Sequence, residues 1–392
     1  CVTSIGGWAF EGCTSLTSIV IPNGVTSIGE SVFYGCSSLT SVVIGNSVTS
    51  IGKSAFYGCS GLTSVVIPDS VTSIGGSSFR YCKNLTSVTM GNSVKSIGAF
   101  AFNECANLKN VFYRGTIDQW VQIDFVDYRS NPLSYAGDLY INNELVTNAN
   151  ITTATEIKRY AFVGCTSLTS VVIPDGVTSI NYYAFNGCSS LTSVIMPDSV
   201  TRIGESSFWG CTSLTSVVIP KNVTFISRFA FIGTGLKNIT LPAGYQGSQE
   251  AFEGDIENIY FNGDLTAWLS SDFQRGLMVP LPGRQLPNNR NLFLNNELVT
   301  DITIPDSITK INDCAFYGCS SIRSVVIPGS VTSIGESAFY GCASITGVVI
   351  PNGVTSIGKS AFYGCESITS VVIPNGVTSI GGWAFEGCTS LT

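Results

Sequence analysis

Apolar positions recur along this chain with a period of 23 residues. In the unit around Leu39, six apolar residues hold fixed offsets: Leu39, Val42, Ile44, Val48, Ile51 and Phe56. Val42 and Ile44 alternate with Val43, which predicts a short strand of β-branched residues. Self-similarity at a fixed period in this range predicts a stack of equivalent coils, and it outranks any local helix or strand assignment.

Turn-forming residues separate the two short apolar stretches of each unit. Pro68 or Gly45 follows the first stretch, and proline cannot donate to a continuing ladder. Gly52 follows the second stretch, where we expect it to supply a positive φ or room for the chain to bend. The Ala55-Phe56 pair predicts a tight or 3₁₀-like turn on the far side of the coil.

The recurring phenylalanine counts fourteen coils: Phe10, Phe33, Phe56, Phe79, Phe102, Phe162, Phe185, Phe208, Phe231, Phe252, Phe316, Phe339, Phe362 and Phe385. One unit cannot bury its apolar face alone, whereas stacked units bury it against their neighbours. The sequence therefore predicts a mainly β repeat solenoid.

The period breaks twice, at two related inserts. We expect a single solenoid over 1–392, with these segments: coils 1–108, insert 109–150, coils 151–254, insert 255–301 and coils 302–392. Trp120 and Trp268 open the inserts and are interpreted as structural anchors of the insert core. Asn-Asn-Glu near the close of each insert predicts a hairpin turn.

The two insert bodies differ in sequence. The segment from Trp120 to Phe125 predicts a short helix or strand. Pro280, Pro282 and Pro287 predict a loop-rich body for the second insert. Outside the inserts, residues 2–17 are identical to residues 377–392, so we expect the chain to be a fragment of a longer array.

Twelve of the fourteen cysteines share one offset of the repeat. Stacked thiols could approach disulfide distance, but parallel side-chain vectors make that geometry awkward. A reduced ladder of buried thiols is favoured over disulfides. Metal binding is the weakest interpretation, because a line of thiols without histidine does not make a tetrahedral site.

Composition argues against several function classes. The chain has 19 basic and 26 acidic residues, a net charge of −7 and no histidine. We therefore expect no nucleic-acid partner, no insertion into a membrane, no cofactor and no catalysis. Four carboxylates of the first insert are interpreted as solvated loop acids: Asp118, Asp124, Asp127 and Asp138.

The outward strand positions carry the binding hypothesis. A flat, uncharged ladder of serine beside an apolar residue is predicted at Ser41, Val43, Ser64, Val66, Ser193, Ile195, Ser216 and Val218. It ends at an aromatic residue where each insert begins, Phe112 and Tyr260, and such residues are favoured interface anchors. In the simpler interpretation, serine and valine are merely tolerated or favoured at exposed strand positions, and the inserts cover Phe112 and Tyr260. A structural spacer is the main alternative, and ice binding by a polar ladder is a weaker one.

The unit resembles the BspA-like (treponemal-type) leucine-rich repeats. Residues 16–36 follow that family's pattern L-x-x-L-x-L-P-x-x-L-x-x-I-G-x-x-A-F-x-x-C, with Val32 in the alanine position. The resemblance covers about three quarters of the chain. It implies a right-handed superhelix with the first strand on the concave face. It also implies a secreted or cell-surface protein that acts as an adhesin for host matrix proteins or other cells.

Overall fold

The computed structural model describes residues 2–247, 250–252, 256–271, 274, 277 and 289–392. The chain forms two compact units, one of Cys1–Pro197 with Gly204–Leu214, and one of Asp198–Ile203 with Thr215–Thr392. Each unit is a stack of short-stranded coils with a repeat of about 23 residues, so the predicted mainly β solenoid is confirmed.

In the first unit, most coils contribute a longer first strand and a shorter second strand. The longer, first strands are β1 (Ser18–Ile21), β3 (Ser41–Ile44), β5 (Ser64–Ile67), β7 (Ser87–Met90), β9 (Asn110–Tyr113), β11 (Asp138–Ile141), β13 (Asn148–Asn150), β14 (Ser170–Val172) and β16 (Ser193–Ile195). The second strands are β2 (Ser27–Ile28), β4 (Ser50–Ile51), β6 (Ser73–Ile74), β8 (Ser96–Ile97), β10 (Asp124–Phe125) and β15 (Ser179–Ile180). The insert adds β12 (Glu144–Leu145) and two short helices, α1 (Ile117–Trp120) and α2 (Leu133–Ala136).

The second unit repeats this arrangement. Its first strands are β18 (Ser216–Val218), β20 (Asn238–Pro242), β21 (Asn258–Asn262), β22 (Asn291–Leu294), β24 (Asp301–Thr303), β26 (Ser324–Val326), β28 (Val348–Val349) and β30 (Val371–Val372). Its second strands are β17 (Arg202–Ile203), β19 (Phe225–Ile226), β25 (Lys310–Ile311), β27 (Ser333–Ile334), β29 (Ser356–Ile357) and β31 (Ser379–Ile380). The insert adds β23 (Glu297–Leu298) and α3 (Leu265–Leu269).

Within each sheet, parallel pairing in register joins successive coils. Val20 pairs with Val43 between β1 and β3, and Ile28 pairs with Ile51 between β2 and β4. Inward residues of both strands are buried, and outward residues remain solvent-accessible. Among the described residues, no helix is long and apolar enough to cross a membrane.

The glycine after the second strand allows the backbones of two coils to approach closely, and it does not have a positive φ. A Cβ on Gly52 would lie 2.6 Å from the backbone C and O of Gly29 in the preceding coil. The left-handed residue comes two positions later, at Ser54, with φ of 56°. Turns closed by hydrogen bonds between residues i+3 and i follow, with the Cys59 N–H donating to the Phe56 carbonyl at 3.2 Å. The predicted tight turn on the far side is confirmed.

Two ladders fill the core beneath these turns. The Phe33 and Phe56 rings stack with centroids 5.2 Å apart, and the same stacking joins Phe339 to Phe362 in the second unit. The Cys59 thiol donates to the Phe33 carbonyl of the preceding coil at 3.2 Å. All the described cysteines are free thiols, and those at the repeat offset are buried except Cys13.

The first insert continues the stack and adds a larger coil. β9 pairs with β7, and β11 then pairs with β9 with Asp138 opposite Asn110, 28 residues later. Helix α1 and strand β10 lie between β9 and β11. The helix ends at Trp120, and the segment that follows Trp120 includes the strand. In the second insert, Pro280, Pro282 and Pro287 lie outside the described residues.

Both predicted hairpins are present. β11 pairs antiparallel with β12, and β22 pairs antiparallel with β23. The two central residues of the first turn, Asn142 and Asn143, have φ of 51° and 67°. Positive φ at both positions is the type I′ geometry that asparagine tolerates and that matches strand twist.

Asp118 is more than a solvated loop acid, contrary to the sequence-based interpretation. Its carboxylate accepts hydrogen bonds from the N–H groups of Thr152, Thr153 and Ala154 at 2.7 to 3.0 Å, and from the Thr152 hydroxyl at 2.9 Å. Burial pushes the pKa of Asp118 upward, but these hydrogen bonds outweigh burial and hold the pKa below its usual value. Asp118 therefore ties helix α1 to the following coil.

We predict that Asp118→Ala lowers the free energy of unfolding by about 1 to 2 kcal/mol at pH 7, because three backbone donors lose their acceptor. The depressed pKa means that this contribution is present above the unfolded-state value of about 3.9 and is lost as pH falls through the folded-state value. Urea titrations of both proteins should therefore converge at low pH. Thr266→Ala at the matching position of the second insert is the control. Equal free energies of unfolding for Asp118→Ala and the parent at pH 7, or a difference between them that grows as the pH falls, would contradict this account.

We also predict that the interior thiols are unreactive in the folded protein. Burial, followed by the neighbouring Cys36, raises the pKa of Cys59 to about 12. At pH 8 such a thiol is ionised to roughly one part in ten thousand, and the thiolate is the nucleophile. Alkylation of the native protein followed by peptide mapping should label the exposed Cys13 rapidly, and it should label the interior thiols of the repeat offset, such as Cys59, only in guanidinium. Rapid native labelling of the ladder, or disulfides in a non-reduced sample, would contradict it.

Candidate functional site

The outward side chains of the first strands form one continuous ladder in each sheet, which we call the first-strand face. Val20 and Val43 lie side by side with 68% and 55% of their surface exposed. Ile195 and Val218 are 58% and 62% exposed on their own strands. Apolar residues of this size are exposed here because the strand alternation leaves every second side chain outside the core.

Serine lines the edge of this apolar ladder. The predicted residues Ser41, Ser64, Ser193 and Ser216 are all solvent-exposed. Next to the second insert the serine ladder becomes an amide ladder, in which Asn258 donates to Asn238 at 2.7 Å and Asn291 donates to Asn258 at 2.8 Å. The first-strand face is thus uncharged and polar along one border over this stretch.

Phe112 stands in the ladder itself. It pairs with Thr89 on one side and with Tyr140 on the other, and Thr89 in turn pairs with Val66. The Phe112 and Tyr140 rings stack with centroids 4.8 Å apart, and both side chains stay partly exposed. Leu145 of the hairpin pairs with Tyr140 and is 42% exposed. We call this group the first aromatic stack.

The second unit contains the equivalent group. Tyr260 pairs with Thr240 and Phe293, and its ring stacks on Phe293 with centroids 4.5 Å apart. Leu298 pairs with Phe293 and is 44% exposed. These residues form the second aromatic stack, and Phe112 and Tyr260 therefore occupy the same place in the two units.

Sequence reasoning missed the partners of these aromatics. Tyr140 follows Phe112 by 28 residues and Phe293 follows Tyr260 by 33 residues, so neither obeys the 23-residue period. The available signal was the equivalence of the two insert closings, in which an aromatic precedes Asn-Asn-Glu at the same distance. Aligning that aromatic with the strand ladder would have identified both pairs.

The two tryptophans lie in the core. Trp120 is fully buried, contacts the edge of Tyr113 and donates its indole N–H to the Ala161 carbonyl at 2.8 Å. Trp268 is 1% exposed and donates to the Ala315 carbonyl at 2.9 Å. Each ring thereby joins an insert to the coil after it, and neither is accessible to a ligand.

The described residues contain no group of three or more histidine, cysteine, aspartate or glutamate side chains that could hold a metal ion. The first-strand face offers an extended surface for binding, made of an exposed apolar ladder, a polar border and a pair of stacked aromatics next to a hairpin. Surfaces of this composition bind other molecules by shape and by apolar burial.

Solved structures similar to this chain include three bacterial leucine-rich repeat proteins. A leucine-rich repeat protein from Bacteroides ovatus is 28% identical over 100% of this chain and 81% of its own, with a TM-score of 0.42. A leucine rich cell surface protein from Faecalibacterium prausnitzii is 24% identical over 96% and 86%, with a TM-score of 0.36. A T. pallidum leucine rich repeat protein is 27% identical over 48% and 72%, with a TM-score of 0.31. No curated protein matches the chain.

The comparison with protein families gives a match over most of the chain. The BspA type leucine rich repeat region matches in six copies, over residues 3–127, 138–266 and 289–392. These ranges include the regular coils and both hairpins. The chain therefore belongs to the BspA type leucine-rich repeat family.

Proposed function

We propose that this chain is a non-catalytic protein-binding module whose first-strand face contacts the partner. The observation that carries the proposal is the pair of aromatic stacks, which border an exposed apolar ladder at equivalent places in the two units. Exposed contiguous apolar surface marks interaction sites, and aromatic side chains supply much of the binding energy at protein interfaces.

The geometry of the stacks favours a protein over a sugar on this face. Phe112 lies between Thr89 and Tyr140 on the neighbouring strands, and the Tyr140 ring stacks on one face of the Phe112 ring. A sugar that stacks on an aromatic needs an open ring face. Ring edges beside valines instead suit the apolar side chains of a protein surface.

The proposed contact residues are those of the ladder together with the two stacks. They are Ser41, Val43, Ser64, Val66, Ser193, Ile195, Ser216, Val218, Phe112 and Tyr260, joined by Tyr140 and Phe293. Membership of the BspA type family supports a secreted or cell-surface location and adhesion to host matrix proteins or to other cells.

A structural spacer is the second candidate. The uniform serine and valine of the outward positions favours it, because recognition generally requires variation from coil to coil. In that case the aromatic stacks would only stabilise the hairpins, and no partner would bind the face.

We predict that Phe112→Val/Tyr260→Val weakens binding of a captured partner at least tenfold, since each change removes an aromatic anchor worth about 1 to 2 kcal/mol. Valine already occupies this position in β1, β3 and β5, so the fold should tolerate it. The measurement is capture from matrix and serum proteins, followed by biolayer interferometry with the purified partner.

Trp209→Ala is the matched control, because this tryptophan is 48% exposed but follows the buried Phe208 rather than lying on a first strand. Its affinity should equal that of the parent chain. Equal affinity of the double variant would move the site away from the aromatic stacks, and Val43→Ser/Val66→Ser would then test the regular ladder. Failure to capture any partner would support the spacer.

A further inference from the structure

A cleft of about 700 Å³ opens in the first unit, beside the first insert. Its walls come from the turn at residues 92–95, from residues 113–122 around helix α1, and from residues 153–158. This volume falls in the range of small-molecule pockets. The cleft is separate from the first-strand face, because its one first-strand residue, Tyr113, is a buried residue of β9 and the other lining residues lie outside the first strands.

The larger coil of the first insert creates this cleft. Helix α1 begins with Thr116, whose side chain accepts from the Gln119 N–H, and Asp118 ties the helix to Thr152 and Thr153. The Asp124 N–H donates to the Lys95 carbonyl at 2.8 Å, and the Lys158 N–H donates to the Val121 carbonyl at 3.2 Å. Three successive coils therefore bring Lys95, Gln122 and Lys158 into the lining of the cleft.

The lining of the cleft has a net positive charge, because it includes Lys95 and Lys158 but only one carboxylate, Asp118, whose oxygens accept hydrogen bonds from the following coil. Asp118 accepts four hydrogen bonds, and Asp124 pairs with Arg159 at 3.4 Å. The Glu156 side chain accepts from Asn181 at 3.4 Å. Among the described residues, neither Lys95 nor Lys158 takes part in an ion pair. Two unneutralised ammonium groups in one cleft favour an anionic ligand.

Neutral polar groups provide the rest of the lining. Gln119 uses its Oε1 to accept from the Thr116 N–H, which leaves its Nε2 as a donor. Gln122 donates its Nε2 to the Glu156 carbonyl, which leaves its Oε1 as an acceptor. Thr153 and Thr155 add hydroxyl groups nearby. Donors and acceptors of this kind pair with the hydroxyls of a ligand.

We propose that this cleft binds a small polyhydroxylated organic anion of the acidic-sugar class. The carboxylate of the ligand pairs with Lys95 and Lys158, and its hydroxyls bond to Gln119, Gln122 and the threonines. Binding here is independent of the protein-binding role proposed above, because the two sites share no residue.

The second insert provides an internal comparison. Gln246 takes the place of Lys95, since both donate their N–H to the threonine carbonyl of the preceding coil. Asn312 takes the place of Lys158 directly after the second-strand isoleucine, and its Nδ2 donates to the carbonyls of Leu269 and Ser271. Ala267 replaces Gln119. Both cations are therefore missing from the equivalent place, and only the first unit should bind the ligand.

The test is saturation-transfer NMR and calorimetry with glucuronate and N-acetylneuraminate, using glucose and inorganic phosphate as comparison probes. We expect both acidic sugars to bind the intact chain with a stoichiometry of one. Lys95→Gln/Lys158→Gln should weaken binding at least tenfold, whereas Lys95→Arg/Lys158→Arg should retain it.

Lys83→Gln/Lys109→Gln is the charge-matched control, since both lysines are exposed in the same unit and lie outside the cleft. It should bind like the parent chain. The proposal is overturned if neither acidic sugar binds up to tens of millimolar, or if the control loses as much affinity as the cleft variant. If glucose binds as tightly as the acidic sugars, the lysines do not determine binding. If phosphate binds as tightly as the acidic sugars, the groups that bind hydroxyls do not determine it.

Discussion

The close approach of one coil's backbone to the next is the constraint on which this structure depends. Gly52 lies so near Gly29 that a Cβ would be 2.6 Å from its carbonyl carbon, and Gly75 lies equally near Gly52. At this separation the phenylalanine rings stack, the strands pair and thiols such as Cys59 reach a carbonyl of the preceding coil. Because the strand pairs and ring stacks join each residue to its own equivalent, the sequence must repeat wherever the backbone does.

The inserts add length without breaking the pairing of the first strands that flank the added residues. β11 still pairs with β9, and β22 still pairs with β21. The two buried tryptophans support this by donating to the carbonyl of an alanine in the following coil. The first-strand face can thus change from valine to aromatic residues while its hydrogen-bond ladder continues unchanged.

The two inserts share their packed elements but differ in the residues of their turns. The aromatic stack and the hairpin recur in both units, and so does the indole hydrogen bond. Differences collect in the turns, where solvent relaxes the packing constraint and side chains of any charge fit. Lys158 and Asn312 illustrate this, since each follows the equivalent buried isoleucine of its unit. Lys158 takes part in no ion pair among the described residues, whereas the Asn312 side chain donates to two carbonyls. A duplicated coil block can therefore keep one face in common and vary another.

The sequence by itself determined the period, the two strands of each coil, the buried phenylalanine and cysteine ladders and both hairpins. It could do so because these features rest on contacts between residues a fixed 23 positions apart, or on the two central residues of a turn. Only the tertiary structure decided that Ser54 rather than Gly52 is left-handed, and that Tyr140 and Phe293 stack on Phe112 and Tyr260. It also decided that Asp118 binds three backbone N–H groups and that Lys95 and Lys158 share a cleft. Those contacts join residues at irregular separations, which depend on how a longer coil is accommodated in the stack and which no repeat pattern encodes.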